Sequence, residues 1–427
     1  MKEWNSFDKI IKGKGMWLID SKGNKMLDGV ASMWCNVWGH SNPELVRAIT
    51  NQSKKLQHSS MFNLTNEPAE RLAENLVNIS PGMHKIFFSD NGSTAMEIAI
   101  KLALQYWKNI GEKKKTKIAT IENGYHGDTF GAMSVGYVPE FFGKFKEQLF
   151  STIQFPVPNK YRIPKGFTFS DYQNYCIEKI EKKFSKNNNI AAFIMESGAQ
   201  VAGGVIIYPK GFQRKISQLC KKYDVLFVLD EIATGLGRLG SMIQYEEQKS
   251  TPDIVAYGKM LTGGYLTMAA TMTNKKIYDS YLGEFNDWKH LFHGHTYTGN
   301  PIAAAVANEN LKMYKTKSLI KKIQKTSKVF EKFYQEISEI DIVGDIRHKG
   351  MLMGIEIVTN RKKKTPIHPK KSINKIFFEE GKKQGIYLRT LGNIVMLVPP
   401  LAISEKELNL LLNRTIRTIK AARSKAI

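Results

Sequence analysis

The sequence predicts an α/β protein: a large region built on a mostly parallel central sheet with covered faces, and a smaller α+β region. Three observations predict it. Short apolar runs at 190–196, 225–230 and 254–256 have the length of buried parallel strands. Helical patterns alternate with such runs from about residue 42 to about residue 300. Glycine is frequent, at 33 residues, and falls mostly at strand-to-helix corners.

The elements follow in order. Residues 15–20 and 25–29 alternate apolar and polar about a Ser21-Lys22-Gly23-Asn24 turn, which is a hairpin signal. Residues 43–57 read as a helix with Leu45, Ile49 and Leu56 on one face, and 67–78 as another with Leu72, Leu76 and Val77. A strand at 85–89 leads through Asp90-Asn91-Gly92-Ser93-Thr94 into a long helix ending near Trp107. Thr94 with Glu97 matches a capping box. Strands are expected at 118–122, 190–196, 225–230 and 254–256. Beyond residue 300 come helices at 302–314 and 319–337, then strands at 342–348, 351–358 and 394–399. The division expected is 1–41 as an N-terminal segment of the small domain, 42–301 as the large domain, and 302–427 as the C-terminal small domain.

Bulk properties exclude several classes. With 42% hydrophobic residues the chain can bury a sizeable core, and no apolar run approaches the roughly 18 residues of a membrane span. The N-terminus shows no signal-peptide pattern. Three cysteines at irregular spacing, Cys35, Cys176 and Cys220, give neither a disulfide framework nor a zinc pattern, and they suit a reducing cytoplasm. The net charge is +24, but the lysine runs at 113–115, 362–364 and 370–371 lie in polar connections without interleaved aromatics. They read as solvated surface rather than a nucleic-acid site.

The chemistry concentrates in two stretches. Asp230 ends the apolar run Val225–Leu229 in Asp230-Glu231-Ile232-Ala233-Thr234-Gly235. Lys259 follows an apolar strand and precedes Leu261-Thr262-Gly263-Gly264. A lysine can hold an aldehyde cofactor as a Schiff base, while an acid at a neighbouring strand end keeps the cofactor's pyridine nitrogen protonated, which is the electron sink of pyridoxal 5'-phosphate. A helix cap or an ion pair with Arg238 is the other reading of Asp230. Gly92 lets backbone amides approach an anion at a helix start, although an ordinary cap would look the same. Tyr125 could stack on a planar ring, and His126 beside it reads equally as structural. His293 and His295 have no third ligand at usable spacing, so no metal site is expected.

With Gly124-Tyr125-His126-Gly127-Asp128-Thr129-Phe130-Gly131-Ala132-Met133-Ser134 and Ala103-Leu104-Gln105-Tyr106-Trp107 added, the chain resembles the class III aminotransferases of the fold type I pyridoxal phosphate superfamily over essentially its whole length. Leu261-Thr262-Gly263-Gly264 resembles the diaminononanoate synthases within it. The resemblance implies that Lys259 carries the cofactor and shuttles protons, and that Asp230 pairs with the pyridine nitrogen. It implies phosphate binding by Gly92 and Ser93, with Thr296 of the neighbouring subunit binding it as well, and hence a homodimer; His295 is a further implied cofactor-binding residue. Tyr125 is implied over the cofactor and Glu196 near its ring, with Met33, Trp34, Tyr125, Lys259, Gly294 and Arg389 toward substrate. Arg389 is the implied receiver of a substrate carboxylate.

The implied reaction converts 8-amino-7-oxononanoate to 7,8-diaminononanoate in biotin biosynthesis with S-adenosylmethionine as amino donor. Three departures keep the donor open. A Trp-His-Pro-Tyr/Phe-Thr-Gln segment usual before a methionine such as Met1 is absent, so the native start is expected upstream. Met33-Trp34 stands where two tryptophans are common, and Met396 stands where some members have a pocket tyrosine. Lysine as donor is the first alternative and a broad ω-amino acid:pyruvate aminotransferase the second. A basic nucleic-acid-binding protein on an inactive scaffold is the remote one.

Overall fold

The computed structural model describes residues 7–426, the side chain of residue 140 apart. At its centre lies a seven-stranded sheet in the order Lys85–Ser89, Ala269–Thr273, Ile254–Tyr257, Leu226–Asp230, Ile190–Glu196, Lys117–Ile121 and Ile153–Phe155. Only Ala269–Thr273 runs against its neighbours; the remaining pairings are parallel. The sheet is therefore mostly parallel, as its continuous apolar runs require of strands covered on both faces.

Side-chain alternation divides those runs between two cores. Phe193, Met195, Phe227, Leu229, Val255 and Tyr257 join the larger apolar cluster on one face. Ala192, Ile194, Leu226, Val228, Ile254 and Ala256 pack on the other, beneath the helix Gly92–Asn109. The register pairs Asp230 with Glu196 on one side and with Ala256 on the other. Both acids thus stand at the carboxyl ends of neighbouring strands, on the face covered by that helix.

The hairpin forms as Trp17–Asp20 against Lys25–Asp28, with Ile10–Lys14 as a further strand that the sequence pattern did not reveal. Ile386–Tyr387 adds in parallel to Lys25–Asp28, so an early and a late segment share one sheet. A second late sheet contains Val343–Lys349, Leu352–Asn360, Ile394–Leu397 and Arg389–Leu391. The C-terminal helix Glu405–Ala426 packs on Ile373–Lys383; neither was anticipated.

Three local expectations need correction. The capping box joins Asn91 and Thr94, not Thr94 and Glu97: Asn91 Oδ1 accepts from Thr94 N at 3.1 Å, and Thr94 Oγ1 accepts from Asn91 N at 3.1 Å. The helix begins three residues earlier than the Thr94–Glu97 pattern placed it, which frees Glu97 to accept from Thr129 Oγ1 and Ala132 N. The helix expected at 43–57 is Pro43–Ser53, closing where Lys54 and Lys55 turn back onto Gln52. The helix expected at 319–337 is Leu319–Thr326, followed by a 3₁₀ segment Ser327–Phe333 and then Tyr334–Glu339. The tighter winding accompanies burial of two sequence neighbours, Val329 and Phe330.

Arg238 ties the parts together. It is 1% exposed, and its guanidinium donates to the carbonyls of Met351 at 3.0 Å, Pro399 at 2.7 Å and Trp34 at 3.4 Å. Burial pulls its pKa down to about 10, which still leaves it charged at neutral pH. Gly350 lies against the same turn: a Cβ there would sit 2.3 Å from the carbonyl carbon of Leu239. Arg238→Met keeps the stem and leaves these carbonyls without their donor. It should cost about 3 kcal/mol, read as a fall of several degrees in the thermal midpoint; an unchanged midpoint would contradict the tie.

Candidate active site

The carboxyl ends of the parallel strands open onto a cavity of about 540 Å³. Its wall includes Met33, Trp34, Gly92, Ser93, Tyr125, Glu196, Asp230 and Lys259. Glu196, Asp230, Lys259 and Tyr125 are delivered by strand ends or the turns after them, and Gly92 and Ser93 by the start of the helix Gly92–Asn109; Met33 and Trp34 are the exceptions. Those two come from a short segment where Ala31, Ser32 and Trp34 all have positive φ. Lys259 itself has a φ of +34°, strain that places its side chain inward from the turn after Ile254–Tyr257. Gly263 and Gly264 allow the chain behind it to pass closely. A Cβ on Gly263 would meet Leu45 at 2.8 Å, and one on Gly264 would meet the backbone of Asn36 at 3.2 Å.

Asp230 is buried and has two hydrogen-bond partners. Its Oδ1 accepts from Ile232 N at 2.9 Å, and its Oδ2 lies 2.8 Å from His126 Nδ1. The alternative of an ion pair with Arg238 fails, since Arg238 is committed to backbone carbonyls. His126, left open by the sequence, is buried against the carboxylate. Its signal was only its place beside Tyr125, since 104 residues separate it from Asp230. Ile232 is a second residue that sequence reasoning passed over. Its side chain lies so close to Gly92 and Gly258 that a Cβ on either would come within 2.8 Å and 3.1 Å.

The electrostatics are mutual. Burial lowers the Lys259 pKa, while Asp230 and Glu196 oppose the shift. Lys259 Nζ lies 5.3 Å from the centre of the Trp34 ring. Burial pushes Glu196 up to about 7; His126 opposes the rise and Asp230 adds to it. Glu196 accepts from Val201 N at 2.9 Å and from Tyr125 N at 3.3 Å. The Tyr125 phenol donates to Asp128 at 3.0 Å, and burial, then Asp128, raises its pKa well above the usual value.

An anionic, planar cofactor fits this wall. The 18-residue helix Gly92–Asn109 aims its N-terminus at the cavity, with first-turn amides that have no intrahelical partner. Asp128 N donates to Ser93 Oγ at 3.1 Å, and Gly127, with a φ of +127°, crosses so near that a Cβ would lie 2.0 Å from that oxygen. A buried carboxylate with no ion-paired Lys or Arg is costly, and a protonated ring nitrogen answers it.

Four expected residues lie outside the cavity wall. Gly294 borders a separate depression beside Phe62 and Phe88. His295 reaches the wall only through Asp90, which lines it. Thr296 is exposed. Arg389 Nη1 lies 2.8 Å from Met33 Sδ, so it stands behind that wall residue. Met396 is fully buried in the apolar cluster containing Trp34 and does not line the cavity; strand pairing places it across from Arg389 on the same sheet face, where that cluster covers it. Met1 lies outside the described residues.

The family model of the class III aminotransferases matches residues 2–419. The adenosylmethionine-8-amino-7-oxononanoate aminotransferase of Staphylococcus aureus is 43% identical over 403 residues, covering 93% of this chain and 88% of its own. The solved structure of the Methanocaldococcus jannaschii enzyme of the same name superposes with a TM-score of 0.91 at 39% identity, over 97% of this chain and 93% of that one. An ω-transaminase from Pseudomonas jessenii, solved in complex with PMP, gives a TM-score of 0.93 at 28% identity, over 98% and 94%. The chain belongs to the class III aminotransferases, pyridoxal-phosphate-dependent enzymes of α/β fold.

Proposed function

We propose that the chain transfers an amino group to 8-amino-7-oxononanoate, forming 7,8-diaminononanoate for biotin, with S-adenosylmethionine as donor. The observation that carries the chemistry is the convergence of Lys259 and Asp230 in one cavity. The choice of substrate is supported by the names and coverage of the relatives.

The residues proposed to hold the cofactor are Lys259, Asp230, Gly92, Ser93, Tyr125 and Glu196, with Thr296 acting from the partner subunit and His295 supporting the site through Asp90. When bound, the cofactor supplies an aldehyde that accepts the amino group and a protonated ring that spreads negative charge. Asp230 holds the ring proton, and His126 donates to Asp230 and fixes its orientation. Lys259, its pKa lowered by burial, would accept the donor Cα proton in one half-reaction and, in the other, donate a proton to the acceptor carbon, the bound cofactor carrying the amino group between the two. Trp34 and Tyr125 exclude water from the neighbouring wall. Arg389 receives a substrate carboxylate through its planar fork.

The proposed assembly is a cytoplasmic homodimer. Phe62, Phe285, Trp288, Phe292 and Tyr297 are exposed apolar side chains around the loop that carries Thr296, the kind of patch that a second copy covers. No helix among the described residues is long and apolar enough to cross a membrane. The proposed domain division follows residues 1–41, 42–301 and 302–427, supported by the sheet that joins Lys25–Asp28 to Ile386–Tyr387.

The donor half-reaction is the decisive assay. Bleaching of the yellow holoenzyme by S-adenosylmethionine, with no bleaching by lysine, is expected; the reverse would assign lysine as donor, and bleaching by neither would sink both assignments. Lys259→Ala should lower transamination by about four orders of magnitude while leaving the thermal midpoint near wild type. The apoenzyme should capture pyridoxal phosphate faster as pH rises, since only a neutral amine reacts. With its pKa lowered, Lys259 should reach the plateau below the ordinary lysine range of about 10.4. Asp230 opposes that lowering, so Asp230→Asn should move the plateau to still lower pH. A plateau unmoved by Asp230→Asn would refute the coupling.

A further inference from the structure

A hydrogen-bonded row of side chains runs beside the cavity from the surface to its wall. Lys101 Nζ lies 2.9 Å from His293 Nδ1 and 3.2 Å from the Phe292 carbonyl. His293 Nε2 lies 2.9 Å from His295 Nε2. His295 Nδ1 then meets Asp90 Oδ2. An ammonium only donates and an ionised carboxylate only accepts, whereas a neutral imidazole does one of each. The row consequently has one direction. Lys101 donates to His293 Nδ1, His293 donates from Nε2 to His295, and His295 donates from Nδ1 to Asp90. A second proton on His293 would face the Lys101 ammonium, and one on His295 would face the His293 N–H.

The row joins three pieces of chain. Asp90 follows the strand Lys85–Ser89, Lys101 lies on the helix Gly92–Asn109, and both histidines belong to the loop before the helix Pro301–Thr316. Phe87 packs edge-on against both imidazoles, with centroids at 5.7 and 6.2 Å. Further along that loop, Thr298 Oγ1 donates to the Phe88 carbonyl at 2.7 Å. Thr296 is therefore suspended between two anchors, His295 on Asp90 and Thr298 on Phe88.

We propose that Lys101, His293 and His295 are positioning residues, whose one-way row holds Thr296 for the cofactor phosphate of the partner subunit and opens when either imidazole takes a second proton. The inference rests on the dimeric reading above. Burial, then Lys101 and His295, keep His293 below the usual histidine range, while Glu97 opposes them. Glu70, Glu74, His84 and Lys85 face the depression that His293 borders. A histidine so lowered is neutral when the row is intact. The ordering it provides is present above the ordinary histidine pKa and is lost as pH falls.

Nitrogen NMR of holoenzyme labelled with ¹⁵N-histidine tests the row directly. At about pH 8, His293 should show a bare Nδ1 and a protonated Nε2, and His295 the reverse, with assignment by comparison with His293→Asn and His295→Asn. Both rings protonated at Nε2, or either one doubly protonated, overturns the row. Its role is read in the cofactor dissociation constant of Lys101→Met and Lys101→Arg. Lys101→Met should weaken retention about fivefold at that pH, the worth of one hydrogen bond. Lys101→Arg should restore it, and the difference should vanish at about pH 5, well below the histidine range. Equal retention by wild type and Lys101→Met at the higher pH overturns the positioning role even where the tautomers are as stated. Wild-type protein that retains no cofactor contradicts the proposed function, and the role of Thr296 with it.

Discussion

The site depends on a carboxylate that is buried without a strong cation. Asp230 sits at the end of a strand whose preceding residues are fully covered, and its two hydrogen bonds come from a backbone N–H and an imidazole. Arg238, the cation that the sequence offered as its partner, is committed instead to three backbone carbonyls. The cation that does share the cavity with Asp230 is Lys259, whose own burial works against its charge. A protonated ring bound there would give the carboxylate the partner it lacks.

The second acid follows from the same geometry. Parallel register pairs Glu196 with Asp230, and two like charges at adjacent strand ends raise the cost of ionising both. Burial, opposed by His126 and helped by Asp230, pushes Glu196 upward, and Lys259 feels both acids against its own desolvation. The three groups form one coupled set, so the proton inventory of the cavity belongs to the set rather than to any member. His126 fixes the orientation of the Asp230 carboxylate within that set.

Much of this was legible in the sequence because it is local. The acid at the end of an apolar run, the lysine after another, and the glycines that let Gly92 and Gly263 sit where a Cβ would collide are all contiguous motifs. The less legible parts are non-local. His126 meets Asp230 across 104 residues, and Lys101 meets His293 across 192. Met396 misled for a related reason. It lies opposite Arg389 on one face of the late sheet, but it is covered by a cluster drawn from distant segments, Trp34, Val205 and Leu239 among them. The C-terminal helix Glu405–Ala426 was passed over although its buried Leu408, Leu411, Leu412, Thr415 and Ile419 follow a helical spacing. The long late helix expected at 319–337 is broken by the 3₁₀ segment Ser327–Phe333, which buries Val329 and Phe330.

The contact between Arg389 and Met33 bears on donor choice. A thioether is a weak acceptor, and no carboxylate among the described residues lies within ion-pair distance of Arg389, so most of its fork is uncommitted. A substrate carboxylate would exchange that weak contact for two charge-assisted hydrogen bonds. On the proposed reading this cannot discriminate donors, since S-adenosylmethionine and lysine both carry an α-carboxylate and a distal positive charge. Discrimination falls instead to the wall where the distal group lies. Met33 is half exposed, unbranched and polarizable, so it can yield to a bulky sulfonium more readily than a second rigid indole could. Trp34, whose ring already attracts the Lys259 ammonium, offers the same face to a cationic substrate once that lysine is engaged elsewhere.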